Sequence, residues 1–158
     1  MTLVIRSARA GDEDAIHRLL LGLAEYEKLV WRFHVTHADV KRDYLCDDPL
    51  IHAELAFDGD EAVGLATWFW TYAGFAARRG LYLEDFFVLP ACRGKGYGTA
   101  LMAHLCRIAR EAGAIRVDWN VLDWNAPSIA YYERLGAKRH EGSYYYRLEG
   151  EAMRKLME

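Results

Sequence analysis

Between an apolar run that ends at Pro90 and a long periodic segment, the chain reads Arg93-Gly94-Lys95-Gly96-Tyr97-Gly98-Thr99. Glycines at such a bend let the backbone take positive φ and approach a ligand closely. The first turn of a helix that follows presents N–H groups without intrahelical acceptors, together with the positive end of its dipole. That combination suits a diphosphate, and Arg93 and Lys95 add mobile positive charge at its edge. Two common phosphate patterns do not fit. No Gly-Lys-Ser/Thr closes the cluster as a P-loop requires, and Thr99 stands where the third glycine of G-x-G-x-x-G belongs. On residue types alone, the stretch reads either as an anion cradle or as a glycine-rich turn that joins a strand to a helix.

The elements that would position this bend follow from periodicity. Val4-Ile5-Arg6 reads as a first strand. From about Asp12, Ile16, Leu19, Leu20, Leu23 and Tyr26 recur at helical spacing. Thr36 with Asp39 three residues on predicts a helix start, with Val40, Tyr44 and Leu45 as its buried face. His52 to Phe57 and Ala62 to Tyr72 flank Asp58-Gly59-Asp60-Glu61, a hairpin signal. Leu81 to Leu89 is a further strand. After the glycines, Leu101, Leu105, Ile108 and Ala112 form one stripe of a helix that stops near Gly113. Ile115 to Leu122 reads as a strand. Asn125 with Pro127 opens a short helix closed by Gly136, and Tyr144 to Leu148 reads as a last strand before a polar tail. The order predicts a mixed α/β fold.

Composition narrows the class. The chain has 158 residues and a formal charge of −3, so it is sized for a single domain over 1–158 and lacks the basic stripe of a nucleic-acid binder. Three widely spaced cysteines with no C-x-x-C pair suggest a reducing, cytoplasmic compartment. No signal peptide is visible at the start. Ala62 to Ala77 is sixteen residues without a charge, shorter than the roughly 20 that span a bilayer as a helix. Its glycines, threonines and Trp-Phe-Trp run suit a buried strand, so no membrane partner is expected. His34 and His37 are three apart, but no cysteine or carboxylate set completes a metal site. His104 and His17 are placed toward the exposed sides of their helices. Cys92 abuts the glycine bend without a base to activate it.

Arg93 to Gly98 has the form R-x-x-G-x-G, and in this it resembles the coenzyme A diphosphate motif of the GNAT acetyltransferases. Leu81-Tyr82-Leu83-Glu84-Asp85-Phe86-Phe87-Val88 is similar to a characteristic block of the spermidine/spermine-type diamine acetyltransferases. Ala24 to Leu29, Val121 to Asn125 and Gly150 to Leu156 resemble the thialysine N-epsilon-acetyltransferase branch of that group. The matching blocks run from the first helix to the tail.

The resemblance implies the GNAT acyl-CoA N-acyltransferase fold, with a central, splayed mixed sheet flanked by helices. It implies acetyl-CoA as cosubstrate and no metal. By motif, Phe86, Phe87 and Val88 offer backbone groups to the pantetheine arm, and Arg93, Gly94, Lys95, Gly96, Tyr97, Gly98 and Thr99 hold the phosphates. Asn125, Pro127, Ser128 and Tyr132 flank the acetyl end. Tyr132 is the implied general acid, since a phenol near pKa 10 is protonated at neutral pH and can supply the departing thiolate. Asn125 and Tyr132, seven apart, would share one helical face. Tyr26, Glu27, Glu84 and Glu141 are the implied acceptor contacts, and Glu84 also removes a proton through water. That step matters because an alkyl ammonium is neutral only about once in 2,500 at pH 7, a penalty of roughly 4.6 kcal/mol.

The chain departs from the family at two places. Ser143 replaces the Trp of a Glu-Gly-Trp element after Glu141, and the loop beyond Gly136-Ala137 is shorter by about three residues. Both bear on preference for a long polyamine. The expected activity is therefore transfer of acetyl to a primary amine of a small cationic acceptor, a thialysine-like amino acid ahead of a diamine or polyamine. Transfer would proceed directly in a ternary complex, with the protein as a homodimer. The alternatives are an acetyltransferase for a protein lysine or N-terminus, and a coenzyme A sensor without turnover.

Overall fold

The computed structural model describes residues 2–157, and the chain falls into two compact units, one running to Asn120 and the other starting at Val121. The first unit carries β1 (Leu3–Ser7), α1 (Glu13–Tyr26), α2 (His37–Asp43), β2 (His52–Asp58), β3 (Glu61–Ala73), β4 (Arg78–Val88), α3 (Tyr97–Glu111) and β5 (Val117–Trp119). The second carries α4 (Ala126–Arg134) and α5 (Gly150–Lys155). The strands form one sheet in the order β1-β2-β3-β4-β5. Its first three pairings are antiparallel and β4–β5 is parallel, so the sheet is mixed as expected.

Local chemistry accounts for most of these elements. Thr36 accepts from the Asp39 amide at 3.1 Å, while Asp39 accepts from the Thr36 amide at 2.9 Å, a reciprocal capping box that starts α2. Gly59 and Asp60 turn the β2–β3 hairpin between the paired residues Asp58 and Glu61. Ile16, Leu19 and Leu20 of α1, Val40 of α2, Ala53 and Leu55 of β2, Leu65 of β3 and Phe87 of β4 bury one face of the sheet. Each side chain of this size contributes about 2 kcal/mol when fully buried. Glu54 alternates with Ala53 and Leu55, so it points to the opposite face. There it meets α3, whose buried residues are Leu101, Met102, Leu105 and Ala109.

Four expectations change. The buried stripe of α3 runs through Met102 and Ala109 in place of Ile108 and Ala112, because small Ala109 continues the i, i+4 row from Leu105 and Ala112 falls at the exposed C-cap. His104 is not on an exposed side. Its Nε2 lies 2.9 Å from the buried Glu54 carboxylate, which also accepts from Ser7 Oγ at 2.9 Å and Trp68 Nε1 at 3.2 Å. The strand expected over Ile115 to Leu122 shrinks to β5, since the ladder with β4 covers only Leu81–Leu83 against Val117–Trp119. Tyr144 to Leu148 forms no strand: no ladder partner lies beside it among the described residues, and Tyr144, Tyr145 and Tyr146 stand exposed. The tail beyond it holds α5.

No helix among the described residues is long and apolar enough to cross a membrane. Glu54 joins β1, β2, β3 and α3, so Glu54→Leu takes the carboxylate away from the buried Trp68 Nε1, the half-buried His104 Nε2 and the Ser7 hydroxyl. It is expected to lower unfolding free energy by about 3 kcal/mol in urea titrations, and a loss below about 1 kcal/mol would mean that the network adds little.

Candidate active site

The antiparallel ladder between β3 and β4 pairs Trp68 with Leu83 but Thr67 with Asp85, so Glu84 is an extra residue, a β-bulge. One extra residue reverses which face each later side chain meets. Leu83 opposes Trp68 on the α3 face, whereas Asp85 and Phe87 turn to the α1 face, where Phe87 joins the core. Gly22 of α1 makes room for it: a Cβ there would lie 2.9 Å from the Phe87 ring. The parallel ladder to β5 ends just before the bulge, at Leu83. Beyond that point the ladder of β4 that continues is the one to β3.

Phe86, Phe87 and Val88 lie in β4 beyond the end of the ladder to β5, and Phe87 and Val88 are buried. The Val88 carbonyl accepts from Arg93 Nε at 3.0 Å. The Arg93 guanidinium also lies over the rings of Tyr26, at 4.7 Å, and Phe87, at 5.7 Å. Arg93 is thus clamped between the end of α1 and the end of β4, in contrast to the mobile charge expected at that position. After the 3-10 turn Pro90–Cys92, Gly94 and Gly96 take φ of 78° and 83°, in the left-handed region that favours glycine. Gly96 is the N-cap of α3, and no side chain caps that helix. Tyr97, Gly98 and Thr99 form its first turn, at the positive end of a helix of 15 residues, an environment that suits an anion. Lys95 stands between the two left-handed glycines.

A second cluster lies where the ends of α1 and α2 meet the bulge. Asp85 is half-buried and accepts from the Thr67 hydroxyl at 2.5 Å. Burial pushes its carboxyl above the ordinary aspartate range, and the Thr67 hydroxyl opposes that shift. Burial also raises the Glu27 carboxyl, with the Asp85 charge adding to the effect. The Tyr44 phenol is pushed upward by burial first, then by the charges of Asp85, Asp43 and Glu84. Glu27 and Glu84, expected from the sequence, therefore belong to one acidic neighbourhood. Asp85, half-buried like Glu27, belongs to it as well, although the sequence alone assigns it no role. The missed signal is the Glu84-Asp85 pair inside an otherwise apolar strand, which a bulge turns toward α1.

In the second unit, Asn125 is the N-cap of α4 and its side chain accepts from the Ser128 amide at 3.4 Å, with Pro127 in the first turn. Asn125 therefore stands at the boundary of the helix, with φ −83° and ψ 63°, two turns before Tyr132. Tyr132 is half-buried on α4, its ring 5.4 Å from that of Tyr131. Glu141 is exposed in the loop after α4, where Ser143 Oγ lies 3.1 Å from His140 Nδ1. Among the described residues, no group of three or more His, Cys, Asp or Glu could hold a metal ion.

A strand whose parallel ladder to its neighbour ends early, followed by a glycine bend and a helix without a side-chain cap, suits a ligand that carries a diphosphate. The sequence matches the Acetyltransferase (GNAT) family over residues 20–137, and the chain belongs to that family. It is 32% identical to the thialysine N-epsilon-acetyltransferase of Sus scrofa, over 98% of this chain and 97% of that protein. It is 34% identical to the human spermidine/spermine N(1)-acetyltransferase-like protein 1, over 94% of this chain and 23% of that longer protein. Among solved structures, AAC(6')-Iy in complex with a CoA-linked bisubstrate analogue superposes with a TM-score of 0.76 at 22% identity, covering 95% of this chain and all of that one. The protein is a GNAT N-acetyltransferase, and GNAT enzymes take their acetyl group from acetyl-CoA.

The raised acids of the second cluster give a stability prediction. A carboxyl whose pKa is higher folded than unfolded binds its proton more tightly in the native state, so stability falls as pH rises from the unfolded toward the folded value. Asp85→Asn keeps an acceptor for Thr67 and removes both its own shift and the charge acting on Glu27. The melting temperature is expected to rise at pH 7, with the gain gone near pH 3, where the carboxyls are protonated in both states. A gain equal at both pH values would contradict the electrostatic account.

Proposed function

We propose that this acetyltransferase moves the acetyl group of acetyl-CoA to a primary amine of a small cationic acceptor, a thialysine-like amino acid ahead of a diamine or polyamine, by direct attack in a ternary complex. The observation that carries the acceptor class is the cluster of Glu27, Glu84 and Asp85 around Tyr44, in which the Asp85 charge adds to the cost of charging Glu27, and Asp85 and Glu84 add to that of Tyr44. A cationic acceptor offsets that cost. Relatives named for thialysine and for spermidine/spermine support the same reading. The family match covers residues 20–137 and so takes in parts of both units, which supports one transferase domain.

In this reading the diphosphate lies against the first-turn amides of α3, with Arg93, Gly94, Lys95, Gly96, Tyr97, Gly98 and Thr99 around it. The pantetheine arm follows the edge of β4 at Phe86, Phe87 and Val88, and Asn125, Pro127 and Ser128 flank the acetyl end. Tyr26, Glu27, Glu84 and Glu141 bind the acceptor. The ammonium loses a proton to Glu84 through water, and the free amine attacks the thioester carbon. As the C–S bond breaks, Tyr132 donates its hydroxyl proton to the thiolate, and free coenzyme A leaves with the N-acetyl product. Glu84 binds the cation and passes its proton outward, because a carboxylate in direct contact with the ammonium would oppose its deprotonation. A homodimer is proposed on the same resemblance.

Thiol release from acetyl-CoA with a panel of amines is the direct test. The expected result is turnover with thialysine and short diamines above that with lysine-bearing peptides. Preference for peptides would move the activity to protein acetylation, and binding without turnover would make the protein a sensor. Tyr132→Phe is expected to lower kcat by about a hundredfold while acetyl-CoA affinity holds; equal turnover removes Tyr132 as the acid. Glu84→Gln is expected to raise the acceptor KM and shift the acid limb of the pH–rate profile, and an unchanged profile takes it out of the proton path.

A further inference from the structure

The glycine bend carries a carboxylate of its own, from a residue that sequence reading passes over as a hairpin turn. Asp58 ends β2, and its side chain is only 9% exposed. Its Oδ2 accepts from the Tyr97 hydroxyl at 2.7 Å and lies 3.8 Å from Lys95 Nζ. Its Oδ1 is buried and takes no hydrogen bond among the described residues. Tyr97 is the first residue of α3, and the Lys95 ammonium lies 5.8 Å from its ring. A buried carboxylate oxygen without a donor is costly. The cation beside this carboxylate is the lysine of the bend, whose Nζ approaches Oδ2.

We propose that Asp58 is the resting counter-ion of the diphosphate bend: it holds Lys95 in reserve and pins the first turn of α3 through Tyr97, so that only a strongly charged ligand such as a diphosphate takes the lysine from it. The inference rests on the reading of this bend as the coenzyme diphosphate site. Without ligand, the ammonium and the carboxylate neutralise each other beside the positive end of α3. When a diphosphate arrives, two negative groups outbid one carboxylate for Lys95, while Asp58 keeps the Tyr97 hydroxyl and the helix start stays in place. An anion of low charge gains too little from Lys95 to break the pair. Asp58 acts through Lys95 and Tyr97 and is a positioning residue.

The sign of one substitution separates this role from a structural one. Asp58→Asn keeps a carbonyl acceptor for Tyr97 and removes the charge. Calorimetric titration with coenzyme A at low salt is expected to show binding tightened about threefold, the scale of a part-exposed ion pair. Inorganic phosphate should gain more than coenzyme A, which narrows the discrimination between them. The gain should shrink in a Lys95→Met background. A purely structural role predicts weaker binding, so coenzyme A affinity that falls or stays level in Asp58→Asn overturns the proposal, as does an equal gain with and without Lys95. If Asp58→Asn does not fold, Tyr97→Phe frees Oδ2 to hold Lys95 more strongly. It is expected to weaken coenzyme A about threefold, less so with Lys95→Met; no weakening overturns the proposal. A wild-type protein that takes up no coenzyme A would refute the diphosphate reading itself, whereas normal uptake with an unmoved Asp58→Asn would refute the inference alone.

Discussion

β4 is laddered on both edges only as far as Leu83, and everything that the proposed site needs follows from how the strand continues after that point. The extra residue at Glu84 turns Asp85 and Phe87 toward α1, where one joins an acidic neighbourhood and the other the core. The end of the β5 ladder opens an edge that an amide-bearing arm can follow. A few residues later the chain reverses through Gly94 and Gly96 into an uncapped helix. A single strand thus links a cluster of carboxylates to the bend proposed to hold the diphosphate.

The two ends carry opposite charge, which matches a reaction between an anionic donor and a cationic acceptor. The cradle rests on main-chain amides, whose direction is fixed by the helix and needs no side-chain ordering. Its arginine does not serve as a loose tether. Arg93 is spent on the Val88 carbonyl and the Tyr26 and Phe87 rings, and so ties α1, β4 and the bend into one piece. The opposite face of the sheet is held by the Glu54 network, in which His104 anchors the middle of the helix whose N-terminus forms the cradle.

The parts legible from the sequence are those with local signals. The Thr36–Asp39 capping box, the Asp58–Glu61 hairpin, the Asn125–Pro127 helix start and the glycine bend each involve residues a few positions apart. Glu84 and Glu27 were reached through motif resemblance, and they fall within the acidic neighbourhood around Tyr44. What stayed hidden depends on long-range geometry. A bulge cannot be read from one strand alone, because it is defined by the register with its partner, so the turn of Asp85 toward α1 is not legible in the sequence. Glu54 with His104 and Asp58 with Tyr97 are pairs separated by 50 and 39 residues, which no spacing rule joins. Tyr144 to Leu148 has the apolar content of a strand, but a strand also needs a neighbour to pair with.

Calorimetry of coenzyme A against the wild-type chain and Gly96→Val tests most directly whether main-chain amides at the start of α3 grip a diphosphate. A β-branched residue is strongly disfavoured at the φ of 83° that Gly96 adopts. The prediction is one coenzyme A per chain, with affinity that weakens as salt rises and drops at least about tenfold in the variant. No uptake by the folded wild-type protein at millimolar ligand, or equal uptake by both proteins, would contradict it.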